Sequence, residues 1–435
     1  MLIRYSVKNF RTFRDETVLS MVASKQTTYN DRLLRADGLR VLPSAAIYGA
    51  NASGKSNLIK SLALFREIVC TGTLKNSDVE FRILPLYPFM FSKKNTEIEL
   101  AAEFIQKDGA HYGYALAFDA DKQIFVREKL DVFDGKTPLN IFIRENNAIQ
   151  INMNKKVLSL LKMNEIFLQD IQDRINQNLD ASELFLTRGF KGVVCTEIAD
   201  QVVGFFTDEL FVVSDFSSRH YNFEIGAADL PKKEITIRAK LLSDFVKMAD
   251  FGSQDISIRT SEDKENPDSA KMRFISSYKF DGSDNPNQRV FILSELVEST
   301  GTMKLINLVF PLVNALVTGG VMVLDEFDAL LHPELTKGVL ILFNDPEINK
   351  NGAQLIFTTH NPIFLNNKIF RRDQIFFVEK DETDYSSSLY SLADFGSEEV
   401  RNDENYLINY FKGKYGALPF ADFSALLKKE RDGDV

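Results

Sequence analysis

The sequence predicts an α/β fold in which a mixed parallel sheet is joined to an antiparallel β subdomain and a helical insertion. Three observations predict it. A glycine-rich segment, Gly49-Ala50-Asn51-Ala52-Ser53-Gly54-Lys55-Ser56, lies between a short apolar run and a helical pattern. A second apolar run, 321–324, ends in the acidic pair Asp325-Glu326. Between them, several stretches alternate apolar and polar residues with the period of a half-buried strand.

The bulk properties are permissive. A chain of 435 residues can form two or three packed units with a sizeable core. With 44% hydrophobic and 26% charged residues, wholesale disorder is excluded. A net charge of −9 argues against a generally basic nucleic-acid coat, while leaving room for a local basic patch. The two cysteines, Cys70 and Cys195, lack metal-ligand spacing and suit a reducing compartment. The opening MLIRYSVKNF has no signal-peptide core, so a cytoplasmic protein is expected. Residues 305–324 have the length of a membrane span. Asn307, Pro311, Asn314 and Gly319-Gly320 interrupt them, and they run straight into Asp325-Glu326. A helix, a glycine turn and a buried strand explain this stretch better, and no membrane is expected.

The first motif is a full G-x-x-x-x-G-K-S. Ala45, Ala46 and Ile47 precede it, and Leu58, Ile59, Leu62 and Phe65 follow at helical spacing, which is the strand–loop–helix context that a phosphate cradle requires. Gly49 and Gly54 let the backbone wrap so that N–H groups face phosphate oxygens at the positive end of a helix dipole. Lys55 is expected to reach the β and γ phosphates, and the Ser56 hydroxyl to ligate Mg²⁺. Asn51, Ser53 and Asn57 complete the candidate contacts. No Asn-Lys-x-Asp guanine-reading segment occurs, which favours ATP over GTP.

The run 321–324 reads as a strand buried on both faces of a parallel sheet. Its C-terminal edge, where α/β sheets place ligands, carries Asp325 and Glu326. Asp325 is expected to hold Mg²⁺, and Glu326 to act as the base that orients the attacking water. Asp328 reads as a helix cap or a solvated residue. A further apolar strand, Leu355 to Phe357, ends in Thr358-Thr359-His360. His360 is there expected to contact the γ phosphate and hold the water.

Leu305, Leu308, Val309 and Leu312 mark a buried helix face, so Glu298-Ser299-Thr300-Gly301-Thr302 forms its entry. This second anion-ready helix start is redundant unless it serves a neighbour's nucleotide. Simple capping by Ser299 or Thr302, contributing about 1 kcal/mol, is the alternative.

Here the chain resembles a family. ESTGTMKL is similar to a degenerate signature motif of ABC-type ATPases. VMVLDEFDALLHP and IFTTH resemble the carboxylate strand and switch-histidine strand of SMC, Rad50, RecF and overcoming-lysogenization-defect ATPases. IRYSVKNFRTF resembles their first strand, which marks Asn9 and Arg11 as base or phosphate contacts. The resemblance implies an ABC-type P-loop head in which two protomers sandwich two nucleotides. Ser299 and Gly301 would then touch the partner's γ phosphate. The likeness is greatest to compact prokaryotic ATPases of abortive-infection and restriction-linked operons, the RloA/AbiL-like group, through ES-x-GT, LHP and the late Tyr415-Gly416-Ala417-Leu418-Pro419. His332 stands where SMC-like loops carry an aspartate, and no Q-loop glutamine is assigned.

The expected organisation is an N-terminal ATPase lobe over 1–150 with the antiparallel strands, a helical insertion or lid over 151–255, and a C-terminal ATPase lobe over 256–435. Helical patterns at 157–175 and 238–252 form the insertion. A hairpin of 272–280 and 288–296 turns at 281–287, after the polar loop 261–271. No stretch sustains the heptads of a coiled-coil arm. Only about 75 residues follow His360, fewer than a Toprim nuclease domain requires, so any effector is expected on a separate polypeptide. The basic pairs Arg371-Arg372 and Lys232-Lys233 read as solvated surface, with DNA contact as the alternative. The function expected is an ATP-hydrolysing homodimer or higher oligomer, acting as sensor or scaffold of an anti-phage defence module. It would control a Toprim-like nuclease or other toxin, with DNA or a phage protein as further partners. A RecF- or Rad50-like DNA-repair ATPase is the alternative.

Overall fold

The computed structural model describes residues 1–75, 86–91, 95–135, 137–213, 244–245, 255–262, 270–279, 288–396 and 398–419. Nearly all of the pattern at 238–252, the turn 281–287, Lys232-Lys233 and the final DGDV lie outside them.

Among the described residues, one sheet runs in the order Leu210–Val213, Val321–Leu324, Gln354–Thr358, Ser44–Tyr48, Ile375–Lys380, Ser387–Ser391. Its first five strands are parallel and the last is antiparallel. Three central strands, Ser44–Tyr48, Val321–Leu324 and Gln354–Thr358, are buried at every residue, as a sheet covered on both faces demands. Successive residues point to opposite sides. Ala45, Ile47, Val321 and Val323 join one core, with Leu58, Leu62 and Phe65 of the helix Lys55–Thr71. Ala46, Tyr48, Met322 and Leu324 join the other, with Leu308, Leu312, Val339 and Leu340 from the helices Thr300–Thr318 and Pro333–Asn344.

The expected antiparallel subdomain is present and larger than its three most regular stretches indicate. The order is Ala148–Ile151, Thr137–Glu145, Ile124–Asp134, His111–Asp119, Glu97–Ile105, Leu2–Lys8, Thr17–Ser20. The first strand of the chain therefore belongs to this sheet. The Tyr5 hydroxyl donates to Ser61 Oγ at 2.7 Å, pinning the sheet to the helix after the glycine-rich loop.

The α/β class expected of an ABC-type head is thus the class observed. Helices Lys155–Leu161, Glu165–Asn178 and Thr196–Gly204 follow the antiparallel strands, with π-helical turns at Leu186–Val194 and Phe205–Glu209. They cover the antiparallel sheet: Phe205 stacks on Phe104 at 4.2 Å, and Phe206 meets the same ring edge-on at 5.7 Å. The span 151–255 does not stay helical. Leu210–Val213 pairs in parallel with Val321–Leu324 and so extends the central sheet. The hairpin expected near 272–296 is present as Ala270–Lys279 and Arg289–Leu293, joined by a third strand, Asp255–Glu262. The stretch 305–324 resolves into the helix ending at Thr318, Gly319 at φ +76°, and the buried strand. Among the described residues, Thr300–Thr318 is the one helix long and apolar enough to cross a membrane, and 53% of its apolar window is buried within the protein.

One buried polar cluster outside the parallel sheet sets a pH dependence. His111 Nδ1 lies 2.8 Å from Asp37 and Nε2 lies 3.0 Å from Glu103, with the ring stacked on Phe133. Donating to both carboxylates requires both ring protons. Burial lowers the histidine pKa, but the bonds to Glu103 and Asp37 outweigh it and hold the value above the ordinary one. A folded-state pKa above the unfolded value of about 6.5 contributes stability in full below that pH and loses it as pH rises through the folded value. The urea stability of wild type relative to His111→Gln is therefore expected to shrink as pH rises above about 6.5 and through the raised folded-state value. A gap that is constant or grows over that range contradicts the assignment.

Candidate functional site

The glycine-rich loop leaves the buried strand Ser44–Tyr48 and enters the helix Lys55–Thr71. Gly54 sits at φ +119°, and a Cβ there would come 2.5 Å from Ser387 Oγ and 2.9 Å from Thr12 Oγ1, so the turn admits no side chain. No side chain caps this helix start, which leaves its N–H groups for an anion. Ser53 is buried, and among the described residues its Oγ has no hydrogen-bond partner. Lys55 is buried, donating to the Gly49 carbonyl at 2.9 Å and the Ala50 carbonyl at 3.0 Å. Burial lowers its pKa to about 8, against the pull of Asp325 and Glu326. Asn51 is exposed, and Asn57 Nδ2 donates to Thr12 Oγ1 at 3.0 Å, fastening the N-terminal loop over the cradle.

The carboxylates emerge two strands away. The strand ending in Thr358-Thr359-His360 runs between the carboxylate strand and the loop strand, pairing Phe357 with Leu324 and Thr358 with Ile47. Thr358 organises the pair: its hydroxyl donates to Asp325 Oδ1 at 2.5 Å and accepts the Glu326 N–H at 2.8 Å. Glu326 is held at φ +46°, with its side chain exposed at the sheet edge. His360 lies in the same electrostatic field. Burial and Lys55 lower its pKa, opposed by Glu326, Asp328 and Asp325, which favours the neutral ring.

An Mg²⁺ ion fits this donor set. Mg²⁺ accepts hard oxygens and usually takes one or two protein ligands, completing its shell with phosphates and water. Asp325 has one oxygen engaged by Thr358, and Ser56 lies in the first turn of the loop helix. Among the described residues no group of three His, Cys, Asp or Glu side chains could hold a metal alone.

Two residues of the site escape sequence reasoning. Asp328 is neither a cap nor solvated. It is half-buried, its pKa raised by burial against the opposing influence of the Thr359 hydroxyl and Lys304. Lys304 Nζ donates to the carbonyls of Glu326 at 2.7 Å and Ala329 at 2.9 Å. Its signal was available: it is the only charged residue between Thr300 and Thr318, and a charge in so apolar a helix needs a partner.

Ser299 caps the helix Thr300–Thr318, its Oγ accepting the Thr302 N–H at 3.1 Å. Ser299 and Thr300 are exposed, and Glu298 is anchored by the hydroxyls of Ser276 at 2.5 Å and Tyr278 at 2.6 Å. Gly301 has a steric reason: a Cβ there would meet the Leu330 carbonyl oxygen at 2.5 Å.

Two further sequence readings are corrected. Asn9 is spent on backbone, donating to the carbonyls of Asn95 and Glu97 and accepting the Phe89 N–H, so it is no base or phosphate contact. Arg371 is not solvated surface. It is buried, paired with Asp373 at 2.8 Å and bonded to the carbonyls of Thr28 and Gln26. His332 caps the helix Pro333–Asn344, its Nδ1 accepting the Glu334 N–H at 3.3 Å, in place of the aspartate of SMC-like loops. Arg11, at φ +53°, lies over the Phe10 and Tyr87 rings at 5.4 and 5.7 Å, and among the described residues its buried Nε has no partner.

A family model described as "AAA domain, putative AbiEii toxin, Type IV TA system" matches residues 44–366. Comparison with curated proteins gives no match. Among solved structures, the chain is similar to an SMC head bound to the C-winged helix domain of ScpA, with 16% identity and a TM-score of 0.44 over 92% of this chain and 99% of that one. It is similar to the SMC head domain from Thermotoga maritima, at 14% identity and a TM-score of 0.36 over 90% and 98%. It is also similar to the recombination mediator protein RecF-ATP in the RecFOR pathway, at 13% identity and a TM-score of 0.38 over 90% and 99%.

Proposed function

Because the chain belongs to the AAA-domain family described as putative AbiEii toxin of type IV TA systems, we propose that it is an ABC-type ATPase whose protomers close around shared ATP. In this reading it serves as sensor and scaffold of a cytoplasmic anti-phage module of RloA/AbiL-like type, controlling a separate effector.

One observation carries the hydrolytic reading. Lys55, at the start of the helix after the loop, and Asp325, Glu326 and His360, just past the ends of two adjacent parallel strands, act on one another electrostatically at one sheet edge. Lys55 and the uncapped helix start bind the phosphates, with Ser53 and Asn51 on the same loop and Arg11 at the base or phosphate side. Ser56 and Asp325 would hold Mg²⁺, which would supply neutralisation of the charge on the phosphate oxygens. Glu326 takes the proton of the attacking water, and His360 positions that water against the γ phosphate.

The shared site is supported by what surrounds Ser299. Phe291, Leu296, Val297 and Leu330 are all exposed beside that helix start, an apolar rim suited to a second copy. The test is complementation. Mixing Lys55→Ala protein with Ser299→Arg protein, each inactive alone, is expected to restore part of the ATPase activity, since the hybrid dimer keeps one intact composite site. Recovery of no activity, with mixed dimers demonstrated, rejects the donated signature.

A further inference from the structure

We infer that Glu298 is a positioning residue whose carboxylate, bonded to the hairpin hydroxyls of Ser276 and Tyr278, sets the direction in which Ser299 is presented. The inference rests on the shared-site reading and names what holds the donated piece in place.

The donated turn has few other holds. A short helix, Ser294–Val297, ends at Glu298, and the helix Thr300–Thr318 begins after Ser299. Between them Glu298 and Ser299 are both extended, at φ −86° and −68°, and form an elbow. Residues 295–300 are all exposed except Glu298, which is partly buried. Leu296 is 74% exposed, so apolar packing does not fix the elbow. Hydrogen bonding does. Ser276 and Tyr278, two residues apart on the strand Ala270–Lys279, stand on one face. Both hydroxyls donate to Glu298 Oε1, at 2.5 and 2.6 Å. Ser276 is fully buried, and its Oγ lies 2.8 Å from Ser294 Oγ. Having given its own proton to Glu298, Ser276 accepts from Ser294, so a chain of hydroxyls ties the elbow to the sheet. Burial, and then the bond to Glu298, raises the Tyr278 pKa to about 12, which keeps the phenol a donor at neutral pH. The same sheet packs Ile256 and Phe274 with Leu305, Ile306 and Val309, further along the helix. The helix is thus gripped by apolar contact along its length and by one carboxylate ahead of its first residue.

Electrostatics alone disfavours a glutamate here. A carboxylate beside an arriving γ phosphate repels it, so its removal would favour closure. Positioning predicts the opposite sign, because an elbow released from Ser276 and Tyr278 no longer presents Ser299 in one direction.

The experiment compares wild type, Glu298→Leu, Glu298→Gln and Tyr278→Phe as full-length chains. ATPase rates and ATP-dependent dimerisation are measured for each, alone and mixed with Lys55→Ala. Affinity for a non-hydrolysable ATP analogue is measured at protein concentrations too dilute for dimers. Glu298→Leu is expected to bind the analogue within about twofold of wild type and to lose about 10- to 100-fold in kcat and in dimerisation. Mixing it with Lys55→Ala is expected to restore part of the activity, because that partner donates an intact elbow. Glu298→Gln, whose Oε1 still accepts both hydroxyls, is expected to stay within about threefold of the wild-type rate. Tyr278→Phe is expected to fall between, and to add no further loss to Glu298→Leu, as members of one unit behave. Where Glu298→Leu does not fold, Tyr278→Phe mixed with Lys55→Ala carries the same test. A Glu298→Leu that closes as well as wild type, or better, overturns the inference alone. So does analogue binding that falls in proportion to turnover, or a double variant whose losses add. Recovery by Ser299→Arg with Lys55→Ala, but none by Glu298→Leu, rejects Glu298 and leaves the shared site standing. Recovery by neither, with mixed dimers demonstrated, overturns both.

Discussion

Lys55→Ala is expected to weaken ATP binding by about 100-fold or more while leaving the fold intact. The reason lies in what the ammonium does before nucleotide arrives. It is buried against the Gly49 and Ala50 carbonyls, and burial lowers its pKa to about 8 although Asp325 and Glu326 oppose the shift. A cation kept partly desolvated gains more from an incoming phosphate than a solvated one, because less water must be displaced. Losing charge-assisted bonds of this kind costs about 3 kcal/mol or more. At about 1.4 kcal/mol per tenfold, that is roughly two orders of magnitude in Kd. Alanine also frees two loop carbonyls, which loosens the cradle and works in the same direction. Titration calorimetry with ATP and Mg²⁺ measures the effect, and the melting temperature without nucleotide controls for folding. An affinity near that of wild type would reject the cradle.

Much of this site was legible because its parts are local. The glycine loop, the flanking strand and the following helix lie within one stretch, and steric demand on Gly54 leaves the sequence few alternatives. The two buried strands were legible for a similar reason: runs without a polar residue fit only the middle of a covered sheet. What was not legible depends on order in space. No pattern in Gln354–Thr358 shows that it runs between the other two site strands, yet that placement lets Thr358 bond both Asp325 and Glu326. Leu210–Val213 reads as a short apolar tail of a helical region until its pairing partner is known. Asp328 resembles any acidic turn residue, because only tertiary packing places it beside Thr359 and Lys304. Arg371 misleads in the opposite sense. A basic pair usually means solvated surface, and here one member is a buried strut.

Glu326→Gln is expected to keep ATP binding close to wild type while slowing hydrolysis by about 10²- to 10⁴-fold, the range for removing a positioned general base. The two effects separate because of how the residue is held. Its N–H is bonded to Thr358 and its carbonyl to Lys304, so the backbone and its left-handed φ depend on groups the substitution leaves untouched. Glutamine is nearly isosteric and can occupy the same place at the exposed sheet edge, but its amide cannot accept the water's proton. Asp325, expected to hold the cation, keeps its bond to Thr358. Nucleotide should therefore still bind with Mg²⁺, and the complex should persist. On the proposed reading, the dimer so trapped would elute with ATP as a larger species than wild type, which would turn over and reopen. The contrast with Lys55→Ala is diagnostic: one variant loses occupancy, and the other retains it and loses only the chemical step. Single-turnover hydrolysis, measured beside equilibrium binding, resolves the two. If turnover is unchanged in Glu326→Gln, the base must be sought among the other groups at this edge. Asp328 is then the first candidate, because burial already favours its protonated form and so sets it closer to proton transfer near neutral pH than an ordinary carboxylate.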